Sequence, residues 1–273
     1  MKIKKFIKAI ILCMVVVLAL RYVATKALFV AIELENAWGV RTAILLGADV
    51  NAVRYNSLRA RISETNATPL IIACRTENLE IIKILVNAKA DINKAEPLVG
   101  MTPLVEVLDP PWRDKSICYE IAFYLIENGA IIPPKHPYPI SYELKSSVHL
   151  SENASEKEKK DSLSMFRYLL QYQTIENANE NGPYTVFVSA CSYNNIDVVL
   201  YMLDNNLVEV NEQSRGGMSG LMRCGVYGHT ELCEILLARG ADTSLMDDHG
   251  KTAYDYAVEH GNEDVAKILL AAQ

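Results

Sequence analysis

The 273-residue chain is poor in the groups from which active sites are assembled. Its six cysteines stand at 13, 74, 118, 191, 224 and 233, with no Cys-x-x-Cys pair, so the commonest thiol-redox and zinc spacings are missing. The five histidines, at 136, 149, 229, 249 and 260, never pair with Cys or Glu at a ligand spacing such as His-Glu-x-x-His. No nucleophile, base and orienting group stand out as a set. The glycine-rich stretch Gly216-Gly217-Met218-Ser219-Gly220 precedes a helical pattern, but no strand leads into it and no Lys-Ser or Lys-Thr follows it, so it lacks the parts of a phosphate cradle. A net charge of −6 and a pI near 5.5, with no basic stripe, argue against a general nucleic-acid binder. These absences predict no enzymatic activity, no metal, no cofactor and no small-molecule substrate.

What the chain has is self-similarity. Thr68-Pro69-Leu70-Ile71-Ile72-Ala73-Cys74 recurs in eroded form, with steps of 34 residues from Thr68 to Thr102, 34 from Thr185 to Ser219 and 33 from Ser219 to Thr252. A period near 33 predicts a stack of small helical units. Thr68 and Thr102 can cap the free amides at a helix start, with Pro69 and Pro103 at the first helical position, where no amide hydrogen is required. Gly47, Gly129 and Gly240 stand where a second helix ends and a left-handed backbone is wanted. Lys89 takes that place in the second unit, at a cost of about 1–2 kcal/mol. Ile81, Ile82, Ile84 and Leu85, and Leu232, Ile235, Leu236 and Leu237, follow helical spacing and form core.

A Thr-Pro-Leu helix start, a second helix, then Gly-Ala-Asp leading into a hairpin closely resembles the ankyrin repeat. The resemblance extends from about residue 27 to the end. It implies an all-α solenoid of about seven helix-turn-helix units with hairpin loops, over about 27–65, 66–98, 100–133, 139–178 (degenerate), 182–213, 216–247 and 249–273. The 83-residue step from Thr102 to Thr185 places an insertion in the fourth unit, assigned to the polar run Ser151–Asp161, and the 42-residue step from Leu28 to Leu70 places another at 52–65. The His that usually follows Thr-Pro-Leu is replaced by Ile71, Val105, Val188, Met222 and Asp255, so the usual Thr–His bonding between units is not expected. His229 matches a family position at the turn between helices, where it braces the turn. The third unit reads Gly129-Ala130-Ile131-Ile132-Pro133-Pro134 without the Asp, and its hairpin is expected to be irregular. Cys74, Cys191 and Cys224 fall at or beside the small-residue position of the first helix, as buried free thiols.

The first 26 residues are different material. Lys2, Lys4, Lys5 and Lys8 precede the uncharged run Ala9–Leu20. Residues 6–23 give about 18 positions, barely enough to cross a bilayer. Two readings stand: an uncleaved single-pass anchor with the repeats on the extracytoplasmic side, as the N-terminal lysines favour, or a signal peptide cut near Thr25-Lys26-Ala27 that leaves a secreted or periplasmic protein.

Members of the ankyrin family mostly bind proteins through hairpin tips and first helices, which form one concave face. The resemblance therefore implies a protein-binding scaffold, membrane-tethered or exported, with a regulatory subunit or inhibitor of a partner enzyme as the alternative. The aromatic and Arg residues at those positions, the types enriched at hot spots, are Arg54, Tyr55, Arg59, Arg61, Arg75, Trp112, Tyr193, Arg215, Arg223 and Tyr227.

Overall fold

The computed structural model describes residues 2–54, 66–97, 100–108, 115–132, 147–151, 153–172, 175, 179 and 184–272. Among them are thirteen α-helices and no strand, only two isolated bridges, Arg54 with Ala67 and Gln213 with Ser219. The chain forms two compact units, 1–137 and 138–273.

In the first unit, α1 (Lys2–Glu33) packs on α2 (Ala37–Leu45) and on α3 (Pro69–Arg75). Helix α3 in turn packs on α4 (Leu79–Asn87) and α5 (Pro103–Leu108), and α5 on α6 (Lys115–Glu127). Helix α1 does not break near residue 26. Its last turns bury Ala24, Leu28, Phe29, Ala31 and Ile32 and serve as the first helix of the first repeat. Thr25 Oγ1 accepts from the Asp49 amide at 2.9 Å, and Arg21 pairs with Asp49 at 3.3 Å. The stretch 10–20 is mostly exposed apolar surface, and α1 is long and apolar enough to cross a membrane.

In the second unit, α7 (Glu156–Leu169) packs on α9 (Ile196–Asp204). First helices α8 (Val186–Ser192), α10 (Gly220–Tyr227) and α12 (Ala253–Glu259) lie side by side, backed by α9, α11 (Thr230–Ala238) and α13 (Glu263–Ala271).

The caps form as the sequence requires. The hydroxyls of Thr68, Thr102, Thr185, Ser219 and Thr252 each accept from the amide three residues on, at 3.2–3.4 Å. Lys89 holds φ +65° where Gly47, Gly129 and Gly240 hold +88°, +93° and +84°.

The charged run in the fourth unit is not a loop insertion. Residues 156–161 are the first half of α7, started by a capping box in which Ser155 and Glu158 satisfy each other's backbone amides. The Lys159–Glu156 pair at 2.7 Å contributes only about 0.2–0.5 kcal/mol. The deciding interaction is the buried stripe Ser162, Met165, Phe166 and Leu169, whose large apolar members each contribute about 1.5–3 kcal/mol.

Two ladders of polar side chains join consecutive repeats. In the first, a hairpin asparagine reaches the next hairpin. Asn51 accepts from the Asp91 amide at 2.7 Å and donates to the Lys89 carbonyl at 3.4 Å. Asn93 does the same with Ile131 and Gly129, both at 2.9 Å, so the third hairpin begins regularly despite lacking its Asp. In the second unit Asn211 meets Asp242 at 2.9 Å and Gly240 at 3.5 Å. The second ladder uses the residue ten after the capping Thr or Ser. Asn78 reaches Glu35, Asn195 reaches the Val148 carbonyl and Ser162, His229 reaches the Ser192 carbonyl, and Asn262 reaches the carbonyls of Gly225 and Val226. This row bonds consecutive repeats without a His near the start of the first helix.

A close helix contact falls at Gly225, where an added Cβ would meet the Ala253 carbonyl oxygen at 2.4 Å and the Ala257 nitrogen at 3.2 Å. Both are backbone atoms that cannot swing aside. Gly225→Ala should therefore destabilise the protein by about 1–3 kcal/mol through overpacking, read as a lower denaturation midpoint at unchanged slope. An unchanged midpoint would show that α10 and α12 separate without cost.

Candidate functional site

One groove in the second unit gathers three of the residues singled out by sequence. It encloses about 1120 Å³ and is lined by Tyr193, Arg223 and Tyr227 together with His149, Tyr184 and His229. Its construction follows the repeat. Ser189 and Arg223 each stand four residues after their capping Thr185 or Ser219, and Tyr193 and Tyr227 stand eight after. Helical spacing puts positions four apart on one face, so side-by-side packing of α8 and α10 brings both rows together. The two tyrosines carry stacked partners: His149 lies on Tyr193 with ring centroids 4.0 Å apart, and His229 on Tyr227 at 5.7 Å.

Arg223 is the unusual member. Only 8% of it is exposed, its Nε is buried with no hydrogen-bond partner, and no ion pair to it exists among the described residues. Its guanidinium lies 4.3 Å from the centre of the Tyr184 ring. Such stacking returns about 0.5–2 kcal/mol, whereas leaving the buried Nε donor unsatisfied costs about 1–3 kcal/mol. The arginine is thus held in its place at a net cost.

The lining also carries Glu156, Lys159, Asp197 and Glu231. Lys159 is already paired with Glu156, and that carboxylate first, then Asp197 and Glu231 at longer range, hold its ammonium above the ordinary lysine value. In the next repeat the position equivalent to Arg223 is Tyr256, which donates to Asp247 at 2.6 Å and is pushed up to about 12 by that bond. Beneath the groove, burial raises the thiols of Cys191 and Cys224 far above neutrality, so both are inert core groups. Among the described residues no cluster of three or more His, Cys, Asp or Glu is placed to hold a metal ion.

The other candidates are not brought together. Arg54 is committed to Glu33 and to the face of Phe29 at 5.4 Å. Arg75 is paired with the buried Glu106 at 3.0 Å. Arg215 is exposed at a hairpin tip. Tyr55, Arg59, Arg61 and Trp112 lie outside the described residues.

Comparison with known proteins agrees with the repeat geometry. Family models for ankyrin repeats match residues 65–96 and, as three copies, 206–273. The crystal structure of the human ASB11 ankyrin repeat domain superposes with a TM-score of 0.54 at 20% identity, covering 90% of this chain and 97% of that one. The chain is an ankyrin-repeat protein. It is 33% identical over 89 residues to the serine/threonine-protein kinase TNNI3K of Mus musculus, which is 29% of this chain and 11% of the kinase. To the ankyrin repeat protein YahD of Escherichia coli strain K12 it is 26% identical over 41% of this chain and 58% of that protein. To the human SH3 and multiple ankyrin repeat domains protein 2 it is 25% identical over 76% of this chain and 10% of that protein. The matched stretches therefore span 10–58% of the lengths of these relatives.

Within the ankyrin register, the sequence signal for the groove is the pair of positions four and eight after each cap. Applied systematically, it adds Ser189 to Arg223, Tyr193 and Tyr227. His149 and Lys159 could not be found this way, because the fourth repeat has no capping Thr from which to count, and Tyr184 because it stands before its cap, Thr185.

An unpaired buried guanidinium makes a testable demand on stability. Arg223→Met keeps the volume of the stem and removes the charge, so stability should be unchanged or higher by about 1–2 kcal/mol. Urea denaturation at neutral pH checks this. A loss above about 1 kcal/mol would show that the Tyr184 contact outweighs the desolvation.

Proposed function

We propose that this ankyrin-repeat protein is a scaffold without catalytic activity of its own, held at a membrane by α1 with its repeats on the extracytoplasmic side, and that it binds a partner protein along the groove of the second unit. The observation that carries this reading is the alignment of Tyr193, Tyr227 and Arg223 in one groove by the repeat itself. Tyr193 and Tyr227 are 42% and 52% exposed, so large rigid rings stand at the surface beside a buried guanidinium. Aromatic and Arg side chains in such a setting are the ones that dominate binding energy.

Retention of α1 is supported by what its last turns do. Cleavage near Ala27 would remove Arg21, Ala24 and Thr25, and with them the ion pair and hydrogen bond to Asp49 and part of the first core. If residues 6–23 lie in the bilayer, they cover about 27 Å and the helix enters the first repeat without a linker. The first unit then has little freedom to tumble relative to the membrane.

The full chain is expected to sediment with membranes and to resist carbonate extraction, whereas a chain begun at Leu20, which keeps Arg21 and Thr25, stays soluble. A photo-crosslinking residue placed at Tyr193 or Tyr227 in cells should give one discrete protein adduct. A shortened soluble form recovered from cells would contradict the anchor. Absence of adducts at both tyrosines, with adducts on other faces, would contradict the groove.

A further inference from the structure

We infer that the groove of the second unit recognises the carboxylate of an acidic side chain on an extended segment of the partner protein, and that Arg223 is the residue that receives it. This rests on the protein-binding reading above and specifies what the groove reads. Arg223 is more than nine-tenths buried, lines the groove and has an Nε with no partner. A guanidinium presents its donors as a planar fork that matches a carboxylate with two parallel bonds. In this protein the guanidinium is held against Tyr184, with its Nε buried, before any ligand arrives. Such preorganisation favours binding, because the arginine is already ordered in the free protein.

The charges around it select among anions. Among the described residues, Arg223 is the one Arg or Lys lining the groove that no carboxylate already neutralises, since Lys159 is paired with Glu156. Asp197 and Glu231 line the same groove. A phosphate dianion or a nucleic-acid backbone would gain one positive partner and meet these acids, and like-charge juxtaposition of that kind rejects a ligand. A single carboxylate asks for one guanidinium, which is what the site offers. A basic residue elsewhere on the same segment would be attracted to Asp197 and Glu231. The Tyr193–His149 and Tyr227–His229 stacks provide flat apolar faces for the residues beside the carboxylate. The occupant that fits is a peptide of mixed charge with an acidic anchor, and not a uniformly acidic or phosphorylated one.

The test uses the full chain in detergent micelles and two displayed libraries of random peptides, one with a fixed central Glu and one with Gln at that position. The Glu library should be enriched and the Gln library should not. For the strongest recovered peptide, Arg223→Met in the protein and Glu→Gln in the peptide should each weaken binding about tenfold or more, and the two changes together should cost little beyond either alone. Arg223→Lys should restore part of the affinity, and 10-fold excess inorganic phosphate over peptide (on the order of the ratio at which a competing anion would register) should not displace it. Urea denaturation of Arg223→Met separates a loss of binding from a loss of folding, and Tyr193→Ala gives a second variant expected to weaken the same peptide. Equal enrichment of both libraries, enrichment of neither, insensitivity to Arg223→Met, or displacement by phosphate would each overturn the carboxylate assignment. A discrete crosslinked protein at Tyr193 alongside any of those results would leave the scaffold reading standing and remove only its chemistry.

Discussion

The amide of one asparagine per hairpin sets the spacing of the repeats. Asn93 both donates to the Gly129 carbonyl and accepts from the Ile131 amide, and Asn51 and Asn211 repeat the arrangement at their own boundaries. The asparagine presents a donor and an acceptor to the next hairpin in the way a paired strand would, so no sheet is needed. Hydrophobic burial alone would tolerate some sliding of one helix pair on the next. Two opposed hydrogen bonds at a fixed position do not, because a shift in either direction breaks both. The Asn or His ten residues after each cap adds a second point of attachment at the other end of the helix pair.

Fixing the register has a functional consequence. Positions four and eight after the cap have no reason to meet across repeats unless α8 and α10 are aligned along their length. Once aligned, they bring Ser189, Arg223, Tyr193 and Tyr227 to one groove. The same alignment presses α10 against α12 until only glycine fits at 225. It also leaves the Arg223 guanidinium stacked but unpaired, a local cost accepted within a stack that the ladders and the core sustain. Sites that give up stability in this way are where function is concentrated.

Much of this was legible in the sequence, and the parts that were not have a common cause. The caps, the left-handed Gly and Lys89 positions and the buried stripes depend on residues close in the chain, so local chemistry fixes them. The inter-repeat bonds of Asn51, Asn93 and Asn211 depend on a neighbour about 30–40 residues away, and the sequence shows only that an asparagine recurs. Arg54 and Arg75 read as free surface arginines because their partners, Glu33 and Glu106, become neighbours only after stacking. Arg223 and Arg75 look alike in sequence, as cations in a first helix, yet one is paired and the other is not. The run Glu156–Asp161 read as an insertion because composition dominated over the Ser155–Glu158 capping box and the apolar stripe that follows it.

The role given to the hairpin asparagines is most directly tested by Asn211→Ala, followed by denaturation and amide hydrogen exchange. Loss of two net hydrogen bonds of about 0.5–1.5 kcal/mol each predicts destabilisation of about 1–3 kcal/mol. The Asp242 amide and the helices α11 to α13 should exchange faster than in the unaltered protein. A change in stability within about 0.3 kcal/mol, with exchange at Asp242 unaltered, would contradict the account and show that apolar packing alone sets the register.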